Sequence, residues 1–161
     1  ELELLKLSKE VDMKICIVRP SLVYGKKIKG NLLNMKKAIQ RGWFPPLPTI
    51  QNKRSMVHVD DLVKAILLVK EKGKNGEIYN VTDGKDYSTT EIYETFCEII
   101  EKSPPKLRVP LLALKALKYV PGRIGHTIKK LIEDEKYSSS KIKSLGFEAK
   151  FEFKDYNEAL F

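Results

Sequence analysis

Arg54 is the residue of this sequence best suited to bind a phosphate. It precedes a short apolar run, Met56 to Val59, which the acidic pair Asp60 and Asp61 follows. This order predicts a strand that leads into a helix capped by the acidic pair. A guanidinium at the start of such a strand can reach the border of a crevice and hold a phosphate by two parallel hydrogen bonds. The alternative is a plain surface arginine.

The other reactive side chains favour structural roles. His58 lies in the apolar run, where a structural histidine is more common than a catalytic one. His126 has no neighbour at metal-ligand spacing, and the sequence predicts no metal site. Cys16 and Cys97 lie among apolar residues without a CxxC pattern, which favours two buried free thiols in a reducing cytoplasm.

The composition is that of an ordinary globular chain with room for one domain. It has 161 residues, of which 42% are apolar and 32% charged. The net charge of +9 favours an anionic partner: a phosphorylated small molecule, a nucleic acid or an acidic membrane surface. A solvated surface rich in lysine is the simpler interpretation. No apolar run approaches the roughly 18 residues that span a bilayer, and no signal peptide is visible, so we expect a cytoplasmic protein.

The order of predicted elements favours an α/β fold. Ile15 to Val18 is apolar on both faces, as in a central parallel strand, and Arg19-Pro20 ends it because proline cannot donate to a strand ladder. Ser88 and Glu91 form a capping box that begins a helix. The other predicted elements are helices at 1–11, 31–41, 111–119 and 124–136, a strand at 77–81 and an extended loop at 43–48. Strands that alternate with helices, followed by helices alone, are typical of this class.

Five short motifs carry a resemblance. They are Arg19-Pro20-Ser21-Leu22-Val23-Tyr24-Gly25, Gly30-Asn31-Leu32, Arg54 to Asp61, Tyr79-Asn80-Val81 and Ser140-Lys141 to Leu145-Gly146-Phe147. Their order and separation resemble the extended short-chain dehydrogenase/reductases, specifically the UDP-glucose 4-epimerase-like sugar-nucleotide epimerases and dehydratases. Only the C-terminal half of that family is matched. The resemblance implies a substrate-binding part of an extended Rossmann-type epimerase, with a few partly parallel strands and several helices.

The matched half lacks the family's catalytic and main cofactor-binding motifs. No Gly-x-x-Gly-x-x-Gly loop occurs, and the catalytic Tyr-x-x-x-Lys pair should precede the Arg19-Pro20 strand. Tyr137 and Lys141 reproduce that spacing but follow the strand, so we attribute the match to chance. The chain opens inside a helical pattern without methionine. We therefore expect a single C-terminal domain, 1–161, of a longer enzyme, inactive alone, with no catalytic residue of its own and no bound cofactor.

The resemblance also implies site residues. Those expected at the substrate are Asn31, Leu32, Leu47, Arg54 and Arg123, and those expected beside the cofactor, NAD or NADP, are Pro20 and Ser21. Asn31 could instead be a helix N-cap, and the segment from Trp43 to Leu47 a proline-stiffened connection. The family's second phosphate-binding arginine has no clear counterpart. Arg123 is its nearest candidate, in a region rebuilt into two helices.

The expected activity is 4-epimerisation of a UDP-hexose or UDP-N-acetylhexosamine. A 4,6-dehydratase or a 4-keto reductase of the same family stays open, because these enzymes differ mostly in the absent half. The expected partners are a UDP-sugar, the missing N-terminal half and a second copy of the protein. A basic module that binds nucleic acid or a membrane surface is the alternative of another class, although no aromatic platform alternates with the basic residues.

Overall fold

The computed structural model describes residues 1–44, 47–104 and 109–156, apart from the side chain of Arg123. These residues form two compact units. The first unit comprises Glu1–Gly25, Ser55–Lys85 and Tyr137–Tyr156, and the second comprises Lys26–Arg54 and Asp86–Lys136. Each unit is described by itself.

The described chain alternates strands and helices and then continues with helices, which confirms the α/β class. The strands are β1 (Ile17–Pro20), β2 (Leu22–Tyr24), β3 (Arg54–His58), β4 (Ile78–Val81) and β5 (Asp86–Tyr87). The helices are α1 (Leu2–Leu7), α2 (Gly30–Gln40), α3 (Val59–Lys72), α4 (Thr89–Ile99), α5 (Leu111–Leu117), α6 (Arg123–Ile132) and α7 (Ser140–Lys143), followed by a 3-10 turn at Phe153–Asp155. None of these helices is long and apolar enough to cross a bilayer.

Two parallel strand pairs form the first unit. β1 pairs with β4, with Val18 opposite Tyr79, and β2 pairs with β3, with Val23 opposite Val57. Ser21 lies between β1 and β2 and passes the chain from one pair to the other. The carboxyl ends of β1 and β4 therefore meet close to Ser21, as parallel pairing requires.

The first strand ends at Pro20, as predicted, but the missing N–H of the proline is not the reason. Pro20 is the last residue of the strand and still lies in the ladder, opposite Val81. The N–H groups of Ile17 and Ser21 donate to the carbonyls of Glu77 and Val81, both at 3.0 Å. Because donors alternate along a strand, the nitrogen of Pro20 points away from β4, and its missing N–H costs this ladder nothing.

The core of the first unit lies between these strands and α3. Its fully buried members are Val57, Ala65, Val69, Tyr79, Val81, Ile142 and Phe147. α3 places Ala65 and Val69 on one face, four residues apart, as an amphipathic helix does. The short helix α7 adds Ile142 to this cluster.

The acidic pair does not cap α3, contrary to the prediction. The helix begins at Val59, and the Nδ1 of His58 accepts the N–H of Asp60 at 3.3 Å as its N-cap. Asp60 and Asp61 fall inside the first turn, where carboxylates favour the helix dipole. Asp61 is completely buried and accepts the N–H groups of Lys150 at 2.8 Å and Phe151 at 3.0 Å. This residue therefore joins α3 to the end of the chain.

The second unit consists mainly of helices. The predicted capping box is confirmed at α4, where Ser88 accepts the N–H of Glu91 and Glu91 accepts that of Ser88. α2 begins at Gly30, one residue before the prediction, so that Asn31 lies inside the helix and is not its N-cap. The two helices predicted at 111–119 and 124–136 are shorter, at Leu111–Leu117 and Arg123–Ile132.

The two thiols differ in burial. Cys97 on α4 is buried as predicted, and burial raises the pKa of its thiol. Cys16 is only partly buried, and its Sγ donates to the carbonyl of Lys74 at 3.3 Å. Both cysteines are free in the described structure.

Candidate functional site

Arg54 is buried, although the sequence placed it at the solvent border of a crevice. Only 7% of the residue is exposed. Its Nη1 donates to the carbonyl of Lys130, and its Nη2 donates to the carboxylate of Glu135. Its Nε is buried without a partner. The guanidinium is thus fixed by two acceptors, and its Nε–H is a buried donor without a partner.

The second unit holds Arg54 through hydrogen bonds between the start of β3 and the segment after α6. The N–H of Glu135 donates to the carbonyl of Lys53 at 2.8 Å, and the N–H of Lys53 donates to the Oδ1 of Asp134 at 2.7 Å. We call residues 52–54 with residues 130–135 the arginine clasp. These bonds keep the two segments side by side and place Lys130 and Glu135 against the guanidinium.

Asn52 connects the arginine clasp to Thr89 in the first turn of α4. The Nδ2 of Asn52 donates to the carbonyl of Glu133 at 2.9 Å, and its Oδ1 accepts the N–H of Thr89 at 2.8 Å. The hydroxyl of Thr89 donates to the carbonyl of Leu131 at 2.7 Å. Sequence reasoning missed Asn52, Thr89 and Glu135. The acidic run directly after α6, Glu133 to Glu135, was the only signal for Glu135.

The remaining predicted substrate residues also lie in the second unit. Asn31 is exposed in the first turn of α2, whereas Leu32 and Leu47 are buried and serve packing in this structure. Arg123 begins α6, and its side chain lies outside what the structure describes. A role of these residues toward a substrate stays a prediction.

The two predicted cofactor residues lie in the first unit, at the carboxyl end of β1. Ser21 is buried, its N–H donates to the carbonyl of Val81, and its Oγ has no partner. Open α/β sheets bind ligands beyond the carboxyl ends of their parallel strands. A buried hydroxyl without a partner costs free energy unless a ligand satisfies it, so Ser21 fits a cofactor position.

His58 belongs to a cluster of rings in the first unit. The centroid of its ring lies 4.3 Å from that of Phe151 and 5.2 Å from that of Tyr24. Tyr24 in turn contacts Phe153 and Tyr156 edge-on. The hydroxyl of Tyr156 donates to the carbonyl of Gly25 at 3.1 Å. Burial lowers the pKa of His58 below its ordinary value of 6.5, so the imidazole is neutral in the folded protein. This environment supports the structural role predicted for His58.

His58 should make stability fall as the pH decreases. The unfolded chain takes up a proton below pH 6.5, whereas the buried ring resists it, so protons favour the unfolded state. Stability from this group should be complete above pH 6.5 and decline below it. Thermal melts from about pH 8 to about pH 5 measure the effect. His58→Asn keeps a capping oxygen and cannot titrate, so its melting curve should depend less on pH. Parallel curves for the two proteins would contradict this assignment.

Tyr137 and Lys141 do not form the dyad that their spacing imitates. The ammonium of Lys141 pairs with the carboxylate of Glu77. The N–H of Tyr137 donates to the Oγ of Ser55 at 3.0 Å, and the residue is exposed. Their environment supports a chance match. No cluster of metal-ligating side chains occurs among the residues that the structure describes.

The family of the chain follows from its sequence. A family model described as the NAD dependent epimerase/dehydratase family matches residues 1–82, just over half of the chain. This chain belongs to that family. The resemblance to the extended short-chain dehydrogenase/reductases, drawn from the five motifs, is thereby confirmed.

One relative agrees with this assignment in sequence, and two solved structures share the fold. A UDP-glucose 4-epimerase of Vibrio cholerae is 32% identical over 117 residues, which are 71% of this chain and 36% of that protein. The solved dTDP-glucose 4,6-dehydratase of Bacillus anthracis in complex with NAD superposes with a TM-score of 0.69 at 21% identity, over 95% of this chain and 45% of the other. The solved UDP-glucose 4-epimerase of Thermotoga maritima with UDP-glucose gives a TM-score of 0.68 at 25% identity, over 96% and 47%. The chain thus spans between a third and a half of these proteins.

Proposed function

We propose that the chain, over 1–161, is the substrate-binding domain of an NAD(P)-dependent nucleotide-sugar 4-epimerase that takes a UDP-hexose or UDP-N-acetylhexosamine. One observation carries the proposal: a buried guanidinium at the start of β3, fixed by a carbonyl and a carboxylate, with a free Nε. Membership of the epimerase/dehydratase family and the 4-epimerase relative from Vibrio cholerae support it.

Arg54 is the proposed anchor of the diphosphate. A buried guanidinium attracts an anion more strongly than an exposed one, because less water screens the charge. Its fixed position also reduces the entropy lost on binding. Glu135 neutralises the guanidinium without ligand, and a diphosphate would compete with it for the same donors. Asn31 is proposed as a second diphosphate contact at the uncapped first turn of α2.

NAD or NADP, bound between this chain and the rest of the polypeptide, is the proposed cofactor, and its nicotinamide accepts and returns a hydride. Pro20 and Ser21 are the residues of this chain proposed to lie beside it. The Ser21 hydroxyl would donate to or accept from the cofactor, which would satisfy its buried Oγ. General acid/base catalysis is assigned to no residue here, so the proposed contribution of the chain is to bind and orient.

Because the chain is proposed to bind the substrate and not to catalyse the reaction, it should bind a UDP-sugar without converting it. Calorimetric titration of the purified 161-residue chain with UDP-glucose and UDP-N-acetylglucosamine should show binding weaker than in the longer polypeptide that contains it. The chain alone should convert neither sugar, because it lacks the hydride carrier and the acid/base pair. The longer polypeptide should interconvert C4 epimers, which NMR of the products distinguishes from a 4-keto product.

Three results would contradict the proposal. The first is turnover by the chain alone, and the second is a 4-keto-6-deoxy product, formed from dTDP-glucose or a UDP-sugar, which would indicate a dehydratase. The third is an upstream coding sequence without the expected motifs. That sequence should carry a glycine triplet and, within a dozen residues of Glu1, a Tyr-x-x-x-Lys pair. Their absence would remove the proposed catalytic half.

A further inference from the structure

The positive charge of the protein is concentrated in one segment. Residues 102–132 contain eight basic side chains and no acidic one, and so carry eight of the nine net positive charges. The rest of the chain has 22 basic and 21 acidic side chains and is nearly neutral. The simpler interpretation of a general, solvated lysine surface does not account for this distribution.

The same segment exposes large apolar side chains. α5 and α6 with their connection form what we call the basic hairpin, residues 110–132. Leu112 is 80% exposed, Tyr119 78% and Ile124 60%, and Leu117 and Val120 are also open to solvent. Lys115, Lys129 and Lys130 are exposed among them. Side chains of this size are seldom left in water as a group unless the surface binds something.

The basic hairpin is built to hold these side chains outward. Leu114 is the buried residue of α5, and α5 packs against α6. Gly125 is buried where α6 meets the end of α5, and a Cβ there would lie 2.0 Å from the carbonyl oxygen of Val120. Only glycine allows this approach, so the two helices form one compact support. The exposed leucines and isoleucine therefore belong to a fixed surface.

We propose that the basic hairpin docks on an anionic membrane surface. A lipid interface is the partner that takes both features together, because acyl chains accept the apolar side chains and anionic headgroups attract the lysines. A nucleic acid would pair with the lysines but leave Leu112 and Ile124 in a polar interface. A second copy would bring two surfaces of the same positive charge together, which is unfavourable.

Co-sedimentation with vesicles tests this surface. The 161-residue chain should sediment with vesicles of equimolar phosphatidylglycerol and phosphatidylcholine, should remain in solution with pure phosphatidylcholine, and should be released by high salt. Each lysine near an anionic surface strengthens binding about fivefold, so Lys115→Glu with Lys118→Glu should weaken partitioning about 25-fold or more. Leu112→Ser with Ile124→Ser should abolish sedimentation at low protein concentration.

Matched variants distinguish binding by the basic hairpin from an effect of net charge or of exposed apolar residues elsewhere. Lys70→Glu with Lys72→Glu removes two exposed lysines from α3, and Leu2→Ser with Leu4→Ser removes two exposed leucines from α1. Both should leave sedimentation almost unchanged, and thermal melts confirm that every variant folds. Equal loss in the control and hairpin variants would overturn the proposal. The proposal would also be overturned by equal binding to neutral vesicles, or by binding to DNA with no binding to vesicles. It would fail likewise if the chain bound no lipid and formed a dimer that the hairpin variants lose.

Discussion

Arg54→Ala, in the polypeptide that joins this chain to its cofactor-binding half, should weaken binding of the UDP-sugar about ten- to a hundredfold. The change removes charged hydrogen bonds to the proposed diphosphate, each worth about 1.5 to 3 kcal/mol. Arg54→Lys should recover only part of the loss, because an ammonium offers a point charge in place of a planar fork. Calorimetric titration with UDP-glucose and UDP-N-acetylglucosamine measures both effects.

The same substitution should also lower stability, which an arginine at a solvent border would not do. Without the guanidinium, the carbonyl of Lys130 and the carboxylate of Glu135 lose their donor. Glu135 is partly exposed and can turn to water, so we expect a loss of about 1 to 3 kcal/mol in the free energy of unfolding. Urea denaturation of the 161-residue chain measures this part separately from binding.

Arg41→Ala is the matched control, since Arg41 is an exposed arginine at the end of α2 in the same unit. It should change neither the affinity nor the stability by a measurable amount. If Arg54→Ala left the affinity for every sugar nucleotide equal to that of the Arg41 variant, the diphosphate site would lie elsewhere. The arginine clasp would then be a purely structural feature.

Asp61→Ala should reduce the free energy of unfolding by about 2 to 5 kcal/mol. The carboxylate is completely buried, accepts two backbone N–H groups and pairs with Lys64 at 3.0 Å. Each buried donor left without an acceptor costs about 1 to 3 kcal/mol, and alanine supplies no oxygen to replace the carboxylate. Urea denaturation at neutral pH measures the loss.

Asp60→Ala provides the comparison, because its side chain is 60% exposed on the same turn of α3. Removing it loses only a favourable charge near the helix N-terminus, about 0.3 to 1 kcal/mol. Asp61→Asn should recover part of the loss, since one amide oxygen still accepts a hydrogen bond. Similar destabilisation by the two alanine variants would mean that the acidic pair acts through the helix dipole alone.

Local patterns predicted the local structure. The capping box at Ser88 needs only residues three apart, and the parallel strands need only apolar runs, so both were readable from the sequence. The hydrogen-bond partners of Arg54 and Asp61 could not be predicted in this way. The acceptors of Arg54 lie 76 and 81 residues away, and the donors to Asp61 lie 89 and 90 residues away. A pattern in a short window cannot indicate partners at that separation.

The candidate site was predictable in its position and not in its environment. The motif around Arg54 identified the residue, but its burial depends on the segment after α6, which the sequence placed in a longer helix. His58 was recognised as structural, yet its capping of α3 was assigned to Asp60 and Asp61. Histidine seldom caps helices, so composition favoured the carboxylates, and tertiary packing around the ring decided otherwise.

The parallel pair of β1 and β4 also bears on how the chain behaves in concentrated solution. Among the described residues β1 pairs with β4 alone, so the opposite side of β1 is an open sheet edge. Such an edge can template pairing with a neighbouring molecule and start aggregation. Pro20 faces that side without an N–H and thereby interrupts the row of donors that an added strand would need. In the 161-residue chain, Pro20 therefore weakens this edge as a template for edge-to-edge growth.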